Sequence, residues 1–359
     1  MGFWKLLLLP FASIYGLIIR IRHWLFNVNI LKSESFDLPV IGVGNLSMGG
    51  TGKTPMVEYL IKLLSEENKI AVLSRGYGRS TNGFLIANQY SGHKDIGDEP
   101  MQYHNKFKND IKVAVSEDRR IGIRNLMQDD ENLDVILLDD CFQHRYVMPG
   151  ISILLTDFHN LYMEDYLFPT GTLRDVVSEA KRADIIIVTK TYKVLSPITR
   201  RRIKGILKPE PHQSLYFSYL EYGELTPVPG FEPAKLKKKI NTIVLFCGIA
   251  NSYPFQEYLR DLCINLLVID FPDHHTYRRK DLQIVAQTYK DAFTQNKIII
   301  TTEKDTMRLV KSEYIRELDS LPLYYIPIEV KLHGLDKSNF SNQIGRYVRE
   351  NKRNSSIHS

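Results

Sequence analysis

Short apolar runs, many of them β-branched, alternate along the chain with segments in which apolar residues recur at helical spacing. Continuous apolar strands that alternate with helices are typical of a mostly parallel sheet covered on both faces. Ligands of such sheets bind beyond the carboxyl ends of the strands. The runs that predict strands are 39–44, 70–74, 112–115, 135–139, 151–156 and 184–189, with helices predicted at 54–64 and 119–127.

A second series of strand runs follows a stretch rich in proline and lysine. Such breakers predict a linker, so we expect two lobes. The second strand runs are 242–247, 266–270, 297–301 and 323–328. The predicted segments are an N-terminal helix at 1–30, a core at 31–225, a linker at 226–240, a smaller C-terminal α/β lobe at 241–349 and a frayed polar tail at 350–359.

The N-terminal segment 3–26 is rich in large apolar residues, but its longest charge-free part has 14 residues. A membrane-spanning helix needs about 20. A secretory signal or a buried core helix would have a similar composition. We favour a helix that enters a membrane surface, because Trp4 and Trp24 suit the interface and Arg20 and Arg22 suit acidic head groups.

The formal net charge of +6 comes from 47 basic and 41 acidic residues, and this mild excess fits an anionic partner. The sequence contains no zinc-finger spacing, RNA-binding aromatic signature or long basic tract, so nucleic acid is not an expected partner. The cysteines Cys141, Cys247 and Cys263 are too widely spaced for a Cys-x-x-Cys site. They fit a reducing compartment such as the cytoplasm.

A glycine-rich loop lies between the first predicted strand and its helix. Its backbone N–H groups and the following helix N-terminus suit phosphate, which predicts a P-loop NTPase-like α/β core with helices on both faces of the sheet. Lys53 is expected to reach the β- and γ-phosphates, and the Thr54 hydroxyl to bind Mg²⁺. Ser47 replaces the first glycine of the usual pattern, and a simple helix-capping turn is the alternative. The predicted nucleotide contacts are Asn45, Ser47, Met48, Gly49, Gly50, Thr51, Gly52, Lys53 and Thr54.

Asp139 and Asp140 end an apolar strand run, where a Mg²⁺-associated carboxylate is expected. Adjacent carboxylates repel unless a cation lies nearby, although an ordinary acidic turn would have the same sequence. A guanine-specific protein would carry Asn/Thr-Lys-x-Asp after a strand. The nearest match, Thr189-Lys190-Thr191-Tyr192, has Tyr192 in place of the base-reading acid, so guanine specificity is not expected.

Several further motifs follow in order along most of the chain. They are Ser74-Arg75-Gly76-Tyr77-Gly78, Gly97-Asp98-Glu99-Pro100, Asp139-Asp140-Cys141-Phe142-Gln143-His144, Pro169-Thr170-Gly171-Thr172-Leu173-Arg174-Asp175 and Phe271-Pro272-Asp273-His274-His275. Together with the phosphate loop and the N-terminal helix, they make the chain resemble the tetraacyldisaccharide 4′-kinase (lipid A 4′-kinase) family.

This resemblance implies ATP- and Mg²⁺-dependent phosphorylation of the 4′ hydroxyl of tetraacyldisaccharide 1-phosphate, giving the bisphosphorylated lipid A precursor. It also implies a location at the cytoplasmic face of the bacterial inner membrane, peripheral or monotopic through the N-terminal helix. The expected partners are the lipid substrate and the membrane surface, with no obligatory protein partner.

Site roles follow from the same resemblance, position by position. Lys53 and Asp98 match catalytic positions, and His274 matches a histidine that assists the acid. The positions matching metal ligands are Thr54, Asp139, Asp140 and Asp175, and those matching substrate contacts are Arg75, Arg119, Gln143, His144 and Arg174. The chain departs from the family at Cys141, where glycine is usual, and at Asp175, where glutamate is usual.

Other interpretations remain open at this stage. Asp98 also suits an Asp-Glu-Pro turn, and Arg75 and Arg119 suit surface ion pairs. His274 and His275 are adjacent, so on an extended segment they would point to opposite faces and not bind one ion. At the level of function, the alternatives are a nucleotide-driven switch or metallochaperone that acts on a protein partner, and a membrane-tethered nucleotide binder without catalysis.

Overall fold

The computed structural model describes the backbone of residues 3–233, 240–310 and 312–352, and the side chains from residue 7 onward in these ranges. The chain divides into two compact units, Met1–Leu220 with Val330–Ser359, and Glu221–Glu329. The lysines of the predicted linker and most of the predicted frayed tail lie outside the described residues.

The strands and helices of the described chain occur in the following order. The strands are β1 (Val40–Asn45), β2 (Ile70–Ser74), β3 (Leu85–Ile86), β4 (Ile111–Val115), β5 (Val135–Asp139), β6 (Ile151–Asp157), β7 (Ile185–Thr189), β8 (Ser214–Tyr222), β9 (Thr226–Pro227), β10 (Ile240–Cys247), β11 (Cys263–Asp270), β12 (Lys297–Thr302), β13 (Leu323–Ile326) and β14 (Ile328–Leu332). The α-helices are α1 (Phe3–Asn27), α2 (Lys53–Leu64), α3 (His93–Ile96), α4 (Asp98–Phe107), α5 (Arg119–Asp129), α6 (Pro197–Leu207), α7 (Tyr253–Leu262), α8 (Arg279–Asp291), α9 (Glu303–Leu309) and α10 (Gly334–Asn351).

The sheet of the first unit has the order β14-β8-β7-β6-β1-β5-β2-β4-β3. The pairs from β4 through to β8 are parallel, and the short edge strand β3 is antiparallel to β4. Carboxyl ends of parallel strands meet at one edge, so the loops after β6, β1, β5 and β2 lie side by side there. The predicted α/β fold with a mostly parallel sheet is confirmed.

Both faces of this sheet are buried, which explains why its strands are apolar throughout rather than alternating. Successive residues of β5 point to opposite faces. Leu137 belongs to one apolar cluster with Met56 and Leu60 of α2. Its neighbour Leu138 belongs to a second cluster with Ile123 of α5.

The C-terminal segment returns to the first unit. Apolar residues of β14 and α10, including Leu332, Phe340 and Ile344, are buried in the same cluster as Ile41 of β1. The sequence pattern had placed this segment in a second lobe ending at residue 349. Its apolar face instead packs under the first sheet.

The second unit contains its own sheet, with the order β11-β10-β12-β13-β9. The strands are parallel except for β9, which pairs antiparallel with β13 at the edge. Thr226–Pro227 and the inaccessible Val228 therefore form part of this unit, although the prolines there had predicted a linker.

The N-terminal helix α1 is a single helix with Pro10 inside it. One face packs on the first unit through Ala12, Gly16, His23 and Phe26, which are buried. Within the described residues, no helix has both the length and the apolar character to cross a bilayer.

Candidate active site

The predicted phosphate loop joins β1 to α2 and is shaped by left-handed glycines. Gly49 has φ 98° and Gly52 has φ 87°, and Gly52 immediately precedes the first residue of α2. A side chain would be strained at these angles. The N–H groups of the first helical turn have no partner within the helix, so this helix start suits an anion.

Asn45, inaccessible at the end of β1, holds both ends of the loop. Its Nδ2 donates to the Ser47 carbonyl at 2.8 Å and to the Thr51 hydroxyl at 2.7 Å. Its Oδ1 accepts from the Lys53 amine at 3.4 Å and from the guanidinium of Arg174. These bonds join the two ends of the loop through one buried side chain.

The motif that ends at Asp175 runs beside the phosphate loop. The Met48 N–H donates to the Thr172 carbonyl at 2.7 Å, and the Arg174 N–H donates to the Leu46 carbonyl at 2.8 Å. These bonds form a short antiparallel bridge, which places the Arg174 side chain next to the loop.

Asp140 follows β5 and is paired with two cations. Arg174 donates to both carboxylate oxygens of Asp140, and Lys53 Nζ lies 3.7 Å from Oδ1. Burial would raise the pKa of Asp140, but the hydrogen bond from Arg174 and the charges of Lys53 and Arg174 lower it to about 2. Asp140 is thus ionised at neutral pH.

Asp139, the last residue of β5, is buried beside Asp140. Its Oδ2 accepts from the Tyr103 hydroxyl at 3.1 Å, whereas its Oδ1 has no hydrogen-bond partner in the described part of the chain. Burial, with the adjacent charge of Asp140, raises the pKa of Asp139 to about 7. A nearby cation would stabilise its ionised form.

These features fit Mg²⁺. No group of three or more His, Cys, Asp or Glu residues arranged to hold a metal occurs among the described residues. Mg²⁺ does not need one, because it takes one or two carboxylates together with phosphate and water oxygens. Asp139 and the hydroxyl of Thr54, which interacts with Tyr103, lie where such a site is needed.

Asp175, predicted as a further metal ligand, is only 1% exposed. Its Oδ1 lies 2.7 Å from His23 Nε2 and also accepts from the Val176 N–H. Arg182 Nη2 lies 4.0 Å from Oδ2. The structure therefore places this carboxylate in a buried polar cluster against α1, and its metal role stays a prediction.

Asp98 is the first residue of α4, and its helix is tied to the phosphate-loop helix. Lys106 of α4 pairs with the buried Glu58 of α2 at 2.7 Å. A Cβ placed on Gly97 would lie 2.9 Å from the Tyr77 carbonyl, so α4 starts against the loop after β2. Asp98 and Tyr103, which contacts Asp139, are separated by about 7.5 Å along the helix axis, and the catalytic role of Asp98 stays a prediction.

The predicted substrate residues differ in exposure. Arg75 is exposed at the end of β2, whereas Arg119 is 2% exposed and donates to carbonyls around the ends of β4 and β5, including those of Ser116 and Asp139. The Arg119 Nε has no partner among the described residues. Arg119 therefore organises the strand ends themselves.

Gln143 and His144 lie in the turn after Asp140. Gln143 Nε2 donates to the Asn45 carbonyl at 2.9 Å, and its own carbonyl accepts from Arg22 of α1. Burial and the charge of Arg119 lower the pKa of His144 to about 4, so His144 is neutral at pH 7.

His274 belongs to the second unit and has φ 60°. Lys304 Nζ lies 3.1 Å from its Nε2, and Arg308 Nη2 lies 3.2 Å from its Nδ1. Lysine and arginine only donate, and an imidazole has at most one accepting nitrogen, so at most one of these contacts is a hydrogen bond. The predicted assistance of Asp98 by His274 stays a prediction.

Sequence reasoning assigned no role to Tyr103, Glu58 or Glu99. Tyr103 joins α4 to Asp139 and Thr54, Glu58 joins α4 to α2, and the Glu99 charge contributes to the raised pKa of Asp139. Glu99 could have been found in the sequence, because it lies in the Gly97–Pro100 motif. Tyr103 could not, because it belongs to no motif and lies inside a helix.

Comparison with known proteins places this geometry in a family. Residues 4–349 match the family described as tetraacyldisaccharide-1-P 4′-kinase. Proteins named tetraacyldisaccharide 4′-kinase are similar to the chain, at 47% identity in Parabacteroides distasonis (90% of this chain, 89% of the relative) and at 42% in Flavobacterium johnsoniae (98% and 99%). The crystal structure of LpxK from Aquifex aeolicus in complex with ATP superposes with a TM-score of 0.71 at 28% identity, covering 96% of this chain and 99% of that one. The alternative of a switch or metallochaperone is not favoured by these relatives, and the chain belongs to the tetraacyldisaccharide-1-P 4′-kinase family.

Proposed function

We propose that the chain transfers the γ-phosphoryl group of ATP to the 4′ hydroxyl of tetraacyldisaccharide 1-phosphate. The observation that carries this proposal is the convergence of Lys53, Asp140 and Arg174 at the phosphate loop. The buried Asp139 lies beside them, and its Oδ1 has no hydrogen-bond partner among the described residues. Such a site holds a triphosphate and a divalent cation at the same strand ends.

The residues of this chain divide the work of the transfer. The loop N–H groups and Lys53 would bind and orient the phosphates. Arg174 would give up part of its hydrogen bonding to Asp140 and donate instead to the oxygens of the transferred phosphoryl group. Thr54 and Asp139 would hold Mg²⁺, which would neutralise charge on the phosphates when bound. Asp140 and Asp175 are further candidate ligands.

In the chemical step, the 4′ oxygen forms a bond to the γ-phosphorus as the bond from that phosphorus to the β–γ bridging oxygen breaks and ADP leaves. The proton of the 4′ hydroxyl passes to the carboxylate of Asp98. His274 is a further catalytic residue in this proposal, and Arg75, Gln143 and His144 would face the anionic head group of the acceptor.

The test measures transfer of label from ATP to tetraacyldisaccharide 1-phosphate in detergent with Mg²⁺. Lys53→Ala should lose both transfer and ATP affinity, whereas Asp98→Ala should lose transfer and keep most of the ATP affinity. Lys62→Ala, on the exposed side of the same helix, is the matched control for Lys53. A folded, ATP-binding preparation that labels no lipid would contradict the proposal.

We also propose that α1 attaches the protein to a membrane surface at the cytoplasmic face of the inner membrane. Its outer face is a continuous apolar stripe of residues at least one-third exposed, namely Leu7, Leu8, Phe11, Ile14, Leu17, Ile18, Ile21 and Trp24. A helix with one buried and one exposed apolar face suits the plane of the interface.

Co-sedimentation with vesicles containing acidic phospholipid tests the attachment. Ile18→Glu places a charge in the stripe and should release the protein, while Ile121→Glu, at an exposed apolar position of α5, should not. Equal binding of both variants would contradict attachment through α1.

A further inference from the structure

The phosphate loop has two sides. On one side of β1 lie β5, β2 and β4, with the acids Asp139 and Asp140 and the start of α4. On the other side lie β6 and β7. The long segment after β6 supplies Arg174 to the site described above, whereas its first residues and the loop after β7 have no role there. ATP is elongated. If its γ-phosphate faces the acids and the acceptor, its base extends in the opposite direction, toward β6 and β7.

The loop after β7 contacts the phosphate loop directly. The Thr189 hydroxyl donates to the Thr51 carbonyl at 2.8 Å, and the Lys190 amine donates to the Gly50 carbonyl. Lys190 also pairs with Asp157, the last residue of β6, at 2.8 Å. A ligand that extends from the phosphates over this side therefore meets these two strand ends first.

An aromatic cluster lies next to these contacts, formed by Phe158, His159 and Tyr192. The Phe158 N–H donates to the Thr189 carbonyl at 3.0 Å, which joins the loops after β6 and β7. The ring of Tyr192 contacts Phe158 at 5.4 Å and His159 at 5.8 Å, both nearly perpendicular. Tyr192 nevertheless stays 63% exposed.

Two packed neighbours hold the Tyr192 ring in place while most of its surface is open to water, and every nucleobase has a face that stacks on such a ring. Tyr192 also occupies the position at which a guanine reader carries its acid. We infer that Tyr192, supported by Phe158 and His159, stacks on the adenine ring of ATP, and that Lys190 holds this loop against the phosphate loop. The inference rests on the proposed function for the identity of the nucleotide.

The test compares binding of ATP with binding of inorganic tripolyphosphate, which has the phosphates but no base. In the full chain with Mg²⁺, Tyr192→Ala should weaken ATP binding about five-fold or more and leave tripolyphosphate binding unchanged, and Tyr192→Phe should retain ATP affinity. Val194→Ala is the matched control, because Val194 is 88% exposed two residues further along.

Unchanged ATP affinity in Tyr192→Ala would overturn the inference, and so would an equal loss for tripolyphosphate, since that would place the effect at the phosphate loop. Because binding is measured directly, the outcome is separable from that of the kinase assay. ATP binding that depends on Tyr192, without any lipid phosphorylation, would contradict the proposed function and still support the adenine site. A wild-type chain that binds no ATP would overturn both.

Discussion

The hydroxyl of Tyr103 donates a hydrogen bond of 3.1 Å to Oδ2 of Asp139 in the interior of the first unit. The same hydroxyl interacts with Thr54, so one side chain of α4 connects the end of β5 with the start of α2. Both partners are candidate Mg²⁺ ligands, and Tyr103 acts on them as a positioning residue.

Tyr103→Phe should therefore weaken the response to Mg²⁺ more than it weakens the fold. The bond lowers the pKa of Asp139 against the effect of burial, so its loss makes the ionised form less stable. We expect the Mg²⁺ concentration for half-maximal activity to rise about five-fold, corresponding to roughly 1 kcal/mol.

The measurement is a Mg²⁺ titration of lipid phosphorylation at saturating ATP. Tyr59→Phe, on α2 with its ring packed against Phe340, is the control and should titrate like the wild type. If the two variants respond to Mg²⁺ alike, Tyr103 does not position the ligands.

Arg174→Lys tests the clamp between the phosphate loop and the strand-end acids. The guanidinium donates to both oxygens of Asp140 and to Asn45, and a lysine ammonium cannot reproduce this planar set of donors. We expect kcat/KM for ATP to fall about ten-fold or more, because charge-assisted bonds of this kind contribute roughly 1.5–3 kcal/mol.

Arg124→Lys is matched to this change. Arg124 makes a similar two-pronged pair with Glu34, but at an exposed position on α5. Steady-state kinetics with ATP should be unaltered in that variant. A loss of the same size in both would mean that the effect is not specific to the loop.

Local sequence was sufficient where local forces decide the structure. The run 135–139 is continuous, apolar and ended by acids, and β5 has those same bounds. The glycines of the phosphate loop were equally informative, because left-handed angles at Gly49 and Gly52 need glycine. By contrast, the spacing of apolar residues in α10 indicates that one face of the helix is buried. It does not indicate whether that face packs in the first or the second unit.

The site was less predictable wherever it depends on distant pairings. Arg174 and Asp140 are 34 residues apart, and His23 and Asp175 are 152 apart. The sequence assigned Arg174 to the substrate and Asp140 and Asp175 to a metal, and it gave His23 no role. Only the fold revealed that these side chains pair with one another.

Asp118 offers a test of electrostatics at the start of α5. Its carboxylate accepts from the Arg120 N–H at 2.9 Å and from the Arg120 side chain, and the side-chain bond is the largest cause that lowers its pKa to about 2. Because the folded-state pKa is below the unfolded value, the stabilisation is present above about pH 4 and is lost as the pH falls toward 2.

Asp118→Ala should thus lower the free energy of unfolding by about 1 kcal/mol at pH 7, and the difference from wild type should shrink as the pH drops below 4. Asp118→Asn keeps a capping oxygen and should be affected less. Urea unfolding at several pH values measures both. A difference that grows on acidification would refute the ion-pair explanation.

His23→Leu tests whether the buried polar cluster around Asp175 holds α1 on the rest of the first unit. His23 Nε2 lies 2.7 Å from Asp175, and Nδ1 lies 3.3 Å from Glu179, with the histidine side chain 4% exposed. Leucine fills a similar volume but removes the donor that Nε2 presents to the buried Asp175, which should cost about 1–3 kcal/mol in urea unfolding. His23→Gln retains a donor and should recover part of that loss.

Activity provides a second test of the same cluster, because Asp175 directly follows Arg174. If α1 orients this segment, His23→Leu should lower kcat in detergent, where membrane attachment cannot contribute. Unaltered stability and kcat would mean that Tyr15, whose hydroxyl donates to the Arg174 carbonyl, and Arg22 suffice to hold the helix.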